Sequence, residues 1–217
     1  MGLRALIWTS AAGLSIFVAV VATQGIGGTG FDPASQQVSE YVHTSAGTAM
    51  TFGFFAWACS LLALAGVTIA LARGETVSRL AYLQAGALAC AGVGAVLLGC
   101  FPTDRGAEIP GAIVRDTATG KVHDLASAMT TAGILLAAIV SAVRFHGSLR
   151  ALTLGIVGVA CSSTVVFLLI GDPLPGVRQR FLLGAGCLWQ AVVLWASYRV
   201  PASTSPRSSL DSRCSTS

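Results

Sequence analysis

Asp104 closes the segment Phe101-Pro102-Thr103-Asp104 at the end of an apolar run, and His123-Asp124 stand immediately before the next run. Glu40 and His43 lie three residues apart in an earlier polar stretch, and Asp172 ends a further run shortly before Arg178 and Arg180. A carboxyl group at the edge of hydrocarbon loses part of its hydration, which disfavours the charged form and raises its pKa. Such an acid can keep a proton near neutral pH and deliver it to a substrate, with a neighbouring imidazole to orient it. Asp104 is the expected acid and His123 its partner, while Glu40 or Asp172 could take the proton back. Phe52, Phe54, Phe55, Trp57 and Phe101 gather at the same level, with Trp189 and Gln190 near the middle of the last apolar run. Aromatic ring faces stabilise cations, although belts of aromatic residues are also ordinary at membrane interfaces. Phe52, Phe55, Phe101, Trp189 and Arg180 are therefore the expected substrate contacts. The same charged groups also read as a solvated rim, paired with Arg105, Arg115, Lys121, Arg178 and Arg180. A mid-membrane Gln is expected to bond a neighbouring helix or line a cavity.

Metal chemistry has less support. The spacing of Glu40 and His43 puts both side chains on one helical face, and Asp104, His123 and Asp124 could complete a site. Yet this region offers two histidines and no thiolate pair, fewer than zinc sites use. No P-loop, HExxH, GxSxG or Asp-rich diphosphate motif occurs. Neither a metal nor a cofactor is expected. Ser39 with His43 is the remaining candidate for a nucleophile and its base.

The elements that carry these residues are apolar. Of the 217 residues, 54% are hydrophobic and 10% charged, against about 25% charged in soluble domains. Runs of about 20 apolar residues cross a bilayer as helices, which satisfy their own backbone there. Six such runs predict an all-α integral membrane bundle over residues 1–200: Ala5–Thr23, Thr48–Ala72, Leu80–Cys100, Leu125–Val143, Ala151–Gly171 and Phe181–Tyr198. The first is longer than the apolar core of a secretion signal, about 7–15 residues, so it reads as a retained span. Asp32-Pro33 is a helix-start signature, predicting a short helix through Ser35, Gln36, Ser39, Glu40 and His43. Gly86, Gly92, Gly94 and Gly99 in the third run should let helices approach closely. The Ser/Thr/Pro-rich tail, 201–217, is expected to be disordered. Five of the six cysteines lie in or beside apolar runs without a CxxC pair, and read as small buried residues. No internal repeat supports an inverted-repeat transporter.

Net charge is +4, but the basic residues stand singly at helix ends, so nucleic acid is not an expected partner. With the N-terminus inside, eight basic residues (Arg4, Arg73, Arg79, Arg144, Arg150, Arg199, Arg207, Arg213) face the cytoplasm and five face out. That bias places both termini in the cytoplasm. Arg outnumbers Lys throughout and Ala and Gly abound, which fits the cytoplasmic membrane of a bacterium with a GC-rich genome.

The Phe101-Pro102-Thr103-Asp104 segment followed by His123, with Asp32-Pro33, Ser39-Glu40 and Gly176-x-x-x-Arg180, resembles a large bacterial family of six-span membrane proteins of unknown function. The resemblance covers most of the chain before the tail and implies the six-helix fold, carrying its Asp and His onto Asp104 and His123. In size and layout the chain also looks similar to small integral-membrane terpene cyclases. That likeness implies a metal-independent isomerase or lyase, in which a buried carboxylic acid protonates a prenylated, lipid-soluble substrate. The alternatives are a non-catalytic protein that binds lipid or stabilises a partner, and a metal-dependent lipid hydrolase using Glu40, His43, Asp104 and His123.

Overall fold

The computed structural model describes residues 2–26, 32–72, 79–104 and 117–199. Among them there is no strand. Six long helices follow one another: α1 (Leu3–Ile26), α2 (Gly47–Ala72), α3 (Arg79–Cys100), α4 (Ala118–Arg144), α5 (Gly147–Leu169) and α6 (Pro175–Tyr198). All six are long and apolar enough to cross a membrane. Even the 22-residue α3 extends about 33 Å at about 1.5 Å per residue, against a hydrocarbon core about 30 Å thick. The chain is a multi-pass membrane protein. An even number of crossings returns the chain to the end where it began, and there the rings of Trp8 on α1 and Tyr198 on α6 meet edge to face at 6.3 Å. The opposite end, here the cap end, carries residues 32–44, 101–104, the start of α4 and the α5–α6 turn.

Consecutive helices α1 to α4 pack closely because small residues bring backbones together, which drives helix association in lipid. A Cβ on Gly94 would collide with Thr130 and the Ala126 carbonyl of α4, and one on Gly133 with the Ala87 carbonyl of α3. Ser10 and Ser60 each donate a hydroxyl proton to the other's backbone carbonyl, at 2.9 and 2.8 Å, which ties α1 to α2. Gly92 and Gly99 of the third span do receive neighbours, Leu62 and Phe55, whereas Gly86 meets nothing. α5 is held differently, with only Thr153 and Ile156 buried.

The helices run longer than the apolar runs. α4 starts at Ala118, seven residues before the expected Leu125, because Thr117 caps it by accepting the Gly120 amide at 3.0 Å. His123 and Asp124 therefore lie inside a helix, not in a loop before it. The short helix expected through Ser35, Gln36, Ser39, Glu40 and His43 forms only over Val38–His43, as a 3-10 helix, with a turn before it. Asp32 does cap, accepting the Ala34 and Ser35 amides at 3.1 Å each, but Gln37 is extended (φ −76°, ψ 152°) and breaks the run. Cys59, Cys90, Cys100 and Cys161 are exposed on the outer surface of the bundle, not buried as expected. Small size lets a thiol face lipid as readily as core. The tail lies outside the described residues.

Candidate functional site

A cavity of about 380 Å³ lies between α2, α4, α5 and α6, beneath the 3-10 helix. This is within the range of about 300–1,000 Å³ typical of small-molecule sites. Phe54 and Trp57 of α2, Ile134 and Ala138 of α4, Ile156 of α5 and Trp189 of α6 form its apolar walls. Val38, Ser39 and Gln179 close it at the cap end, and Ser127, Thr130, Thr131 and Thr164 add hydroxyls. Among the described residues no Asp, Glu, His, Lys or Arg lines it. Thr131, Cys161 and Val165 both line it and are exposed, so it opens sideways between α4 and α5. An open groove of about 880 Å³ runs between α5 and α6 and shares Ile156 and Ala185 with the cavity.

The cavity is held by hydrogen bonds at its rim. Trp189 is 1% exposed, and its indole N–H donates to Ser141 Oγ at 2.9 Å. Trp57 stacks on Phe17 at 4.4 Å with planes 5° apart. The Gln179 amide oxygen accepts the Val38 N–H at 2.6 Å, fastening the 3-10 helix over α6.

The Phe101–Asp104 segment is a strap at the cap end. His43 Nε2 donates to the Thr103 carbonyl at 2.6 Å and His123 Nδ1 to the Phe101 carbonyl at 2.8 Å. A carbonyl only accepts, so both ring nitrogens must carry their protons. Asp104 accepts the Thr117 hydroxyl at 2.5 Å and its amide at 3.2 Å. A carboxylate there satisfies an unpaired donor and meets the positive end of the helix dipole.

The expected site residues therefore divide. Trp189 lines the cavity, and Glu40 is buried in the roof next to Ser39. Asp104 and His123 come together at the strap but do not line the cavity. His43 points to Thr103, so Ser39 and His43 form no hydrogen-bonded pair. Asp172 lies in the α5–α6 turn at a φ of 51° and is bonded to Arg178 at 2.8 Å. Phe52 is 58% exposed on the outer face of α2. Phe55 packs over Gly99, where any Cβ would collide with its ring. Neither lines the cavity, and Phe101 contributes its carbonyl to the strap; α2 turns Phe54 and Trp57 inward instead.

Arg180 is a clamp. Its guanidinium donates to the carbonyls of Pro33, Gln36 and Gly176 at 2.5, 2.9 and 3.0 Å and to the Tyr41 hydroxyl at 2.8 Å. Gly176 leaves the space this needs, because a Cβ there would strike the Gln36 and Pro33 carbonyls. The Gly176-x-x-x-Arg180 spacing is thus a device for seating the roof. Gln190 is fully buried, but neither its amide oxygen nor its nitrogen finds a hydrogen-bond partner among the described residues, in place of the expected bond across helices. Among the described residues no three of His, Cys, Asp and Glu come together to hold a metal.

These features define a six-helix membrane protein with an apolar cavity in its wall. The chain belongs to the family described as "Protein of unknown function (DUF998)", which matches residues 11–196 and so takes in the strap, the roof and the clamp. No curated protein and no solved structure matches it.

Proposed function

We propose that this protein binds a lipid-soluble small molecule, of isoprenoid or similar chemistry, that enters its cavity from the surrounding bilayer. The carrying observation is the cavity itself: apolar walls, no Asp, Glu, His, Lys or Arg in its lining among the described residues, and an opening between α4 and α5 that faces lipid. Such a site gains little from a water-soluble ligand and accommodates one already dissolved in hydrocarbon. Surrounding lipids complete the environment, in a bacterial cytoplasmic membrane with both termini on the cytoplasmic side, as the arginine distribution suggests.

The test is to purify the full chain in mild detergent and identify co-extracted lipids by mass spectrometry, beside Ala160→Trp, which fills the cavity. One lipid class enriched with the wild type and lost with the variant supports the reading. The same lipid profile for both proteins, each folded, counts against it.

A metal-independent terpene cyclase is the second reading. It is favoured by one observation: Glu40, buried at 5% exposure, adjoins the cavity-lining Ser39 in the roof. Glu40 would be the acid nearest the cavity, with Asp104 and His123 acting through the strap. Membranes incubated with farnesylated aromatic substrates would then yield a product of unchanged mass and new retention time, insensitive to chelator and lost in Glu40→Gln. Ligand binding without any conversion leaves the first reading alone.

A further inference from the structure

The reachable polar groups of the cavity gather at its cap end. α4 and α6 both run inward from that end, and they meet where a Cβ on Gly186 would lie 3.4 Å from the Ile134 side chain. Ser127 and Gln179 each stand seven residues before that contact, so they share a level about 10 Å nearer the cap end. Ser127 lines the cavity together with Thr131, Ile134 and Ala138, at the spacing that places side chains on one helical face. Its hydroxyl has no hydrogen-bond partner among the described residues, and Gln179, whose carbonyl accepts the Val38 N–H, keeps its NH2 to donate. Neither group is among the unpartnered ones sealed from a water-sized molecule. Deeper in, the Trp57 indole nitrogen is sealed off and Trp189 donates to Ser141. From Gln179 to Trp189 the lining spans about 15 Å, half of a hydrocarbon core about 30 Å thick. Among the described residues no Asp, Glu, His, Lys or Arg lines it, and burying an unpaired charge in such a place is strongly unfavourable.

We propose that the cavity seats one uncharged amphiphile drawn from the cap-side leaflet, lying as it would in that leaflet, with its polar oxygen at Ser127 and Gln179 and its hydrocarbon end against Ile134, Ile156 and Trp189. The inference rests on the cavity being a lipid site and specifies how the ligand lies in it and which leaflet supplies it. The exposed residues at the mouth, Thr131, Cys161 and Val165, belong to the same stretch of the lining. A lipid of that leaflet therefore slides in between α4 and α5 without carrying its polar group through the middle of the bilayer. The Ser127 hydroxyl both donates and accepts, and the Gln179 NH2 donates, which suits an alcohol oxygen.

The experiment uses the full chain in phosphatidylcholine nanodiscs and a C15 isoprenoid alcohol carrying a photoreactive diazirine either beside the hydroxyl or at the far end of the chain. After illumination, labelled residues are located by peptide mass spectrometry. The head-end diazirine is expected to label residues 127–131 of α4 and 179–183 of α6, and the tail-end one residues 134–138 and 186–189. Label in the reverse order, or the same label from both forms, overturns the orientation while leaving the cavity a lipid site. Excess unlabelled alcohol should remove the label, whereas its sulfate ester, at equal mole fraction in the bilayer, should not; equal competition overturns the requirement for an uncharged ligand. Ser127→Ala is expected to weaken the alcohol about fivefold, the value of about one hydrogen bond, and to leave the parent C15 hydrocarbon unchanged, with gel filtration confirming a folded protein. Alcohol binding that is unaffected, or that falls no further than hydrocarbon binding, overturns the placement of the oxygen at Ser127. If neither form labels the cavity, the lipid-site reading falls and this proposal with it.

Discussion

Asp104 and Thr117 form one joint: the carboxylate accepts both the hydroxyl and the amide of Thr117, and that hydroxyl oxygen in turn accepts the Gly120 amide. The acid singled out by its place at the edge of an apolar run thus completes a helix cap. Asp104→Ala is expected to lower stability by about 1 kcal/mol, the usual worth of a capping interaction. Gly120→Leu should do at least as much, since a side chain there would displace the carboxylate. Thermal denaturation in detergent checks both. If Asp104→Ala leaves the melting temperature unchanged, the joint is not what holds the start of α4.

Arg180 offers the sharper contrast. Its Nη1 serves the three carbonyls while its Nη2 serves the Tyr41 hydroxyl, a two-nitrogen reach that the single nitrogen of a lysine does not reproduce. Arg180→Lys keeps the charge, yet it should lose about 2 kcal/mol, because a charge-assisted bond is worth about 1.5–3 kcal/mol and the one to Tyr41 is broken. Limited proteolysis should then find cleavage within residues 32–44, which the clamp seats on α6. A wild-type cleavage pattern in Arg180→Lys would show that Gln179 and Val38 hold the roof without it.

The six spans were legible because lipid imposes a length and a composition that no short-range signal overrides. Their ends were less so. Thr117 starts α4 among polar residues that hydropathy assigns to a loop, and only the cap geometry reveals it. Which side chains face inward is not legible in the sequence. Trp189, Phe54 and Trp57 line the cavity and Phe52 and Phe55 do not, and a span apolar on every side carries no periodic mark of which face turns inward. Arg180 and Gly176 were noticed for their spacing, yet a backbone clamp depends on the carbonyls of Pro33 and Gln36, far away in sequence. The cavity itself left no signal, because it is defined by where four helices fail to meet.

Acid should loosen the cap end through Asp32. The Ser35 hydroxyl, followed by the Ala34 and Ser35 amides, holds its carboxyl below the usual 3.8. A group whose folded pKa is depressed adds stability above its unfolded pKa and loses it as pH falls through the folded value. The stability contributed by Asp32 is therefore intact at neutral pH and declines only below 3.8. Asp32→Asn, unable to ionise, should show a smaller loss of melting temperature across that acid range than the wild type. Identical acid profiles would assign the transition to other carboxylates.

Ser141 and Trp189 tie α4 to α6 at the inner wall of the cavity. Ser141→Ala strands the indole N–H in a site with 1% exposure, and an unsatisfied buried donor costs about 1–3 kcal/mol. Trp189→Phe removes the donor with the bond, so it should cost less through hydrogen bonding, though it also loses packing volume. The double variant should then be more stable than the sum of the two single losses predicts, with a coupling of about 1 kcal/mol. Measured in parallel, lipid occupancy separates structure from binding. Because the Ser141 hydroxyl is engaged by Trp189 and does not line the cavity, Ser141→Ala should lower melting temperature with little change in the amount of co-extracted lipid. Occupancy that falls as steeply as stability would mean that the orientation of the Trp189 ring is itself a determinant of binding.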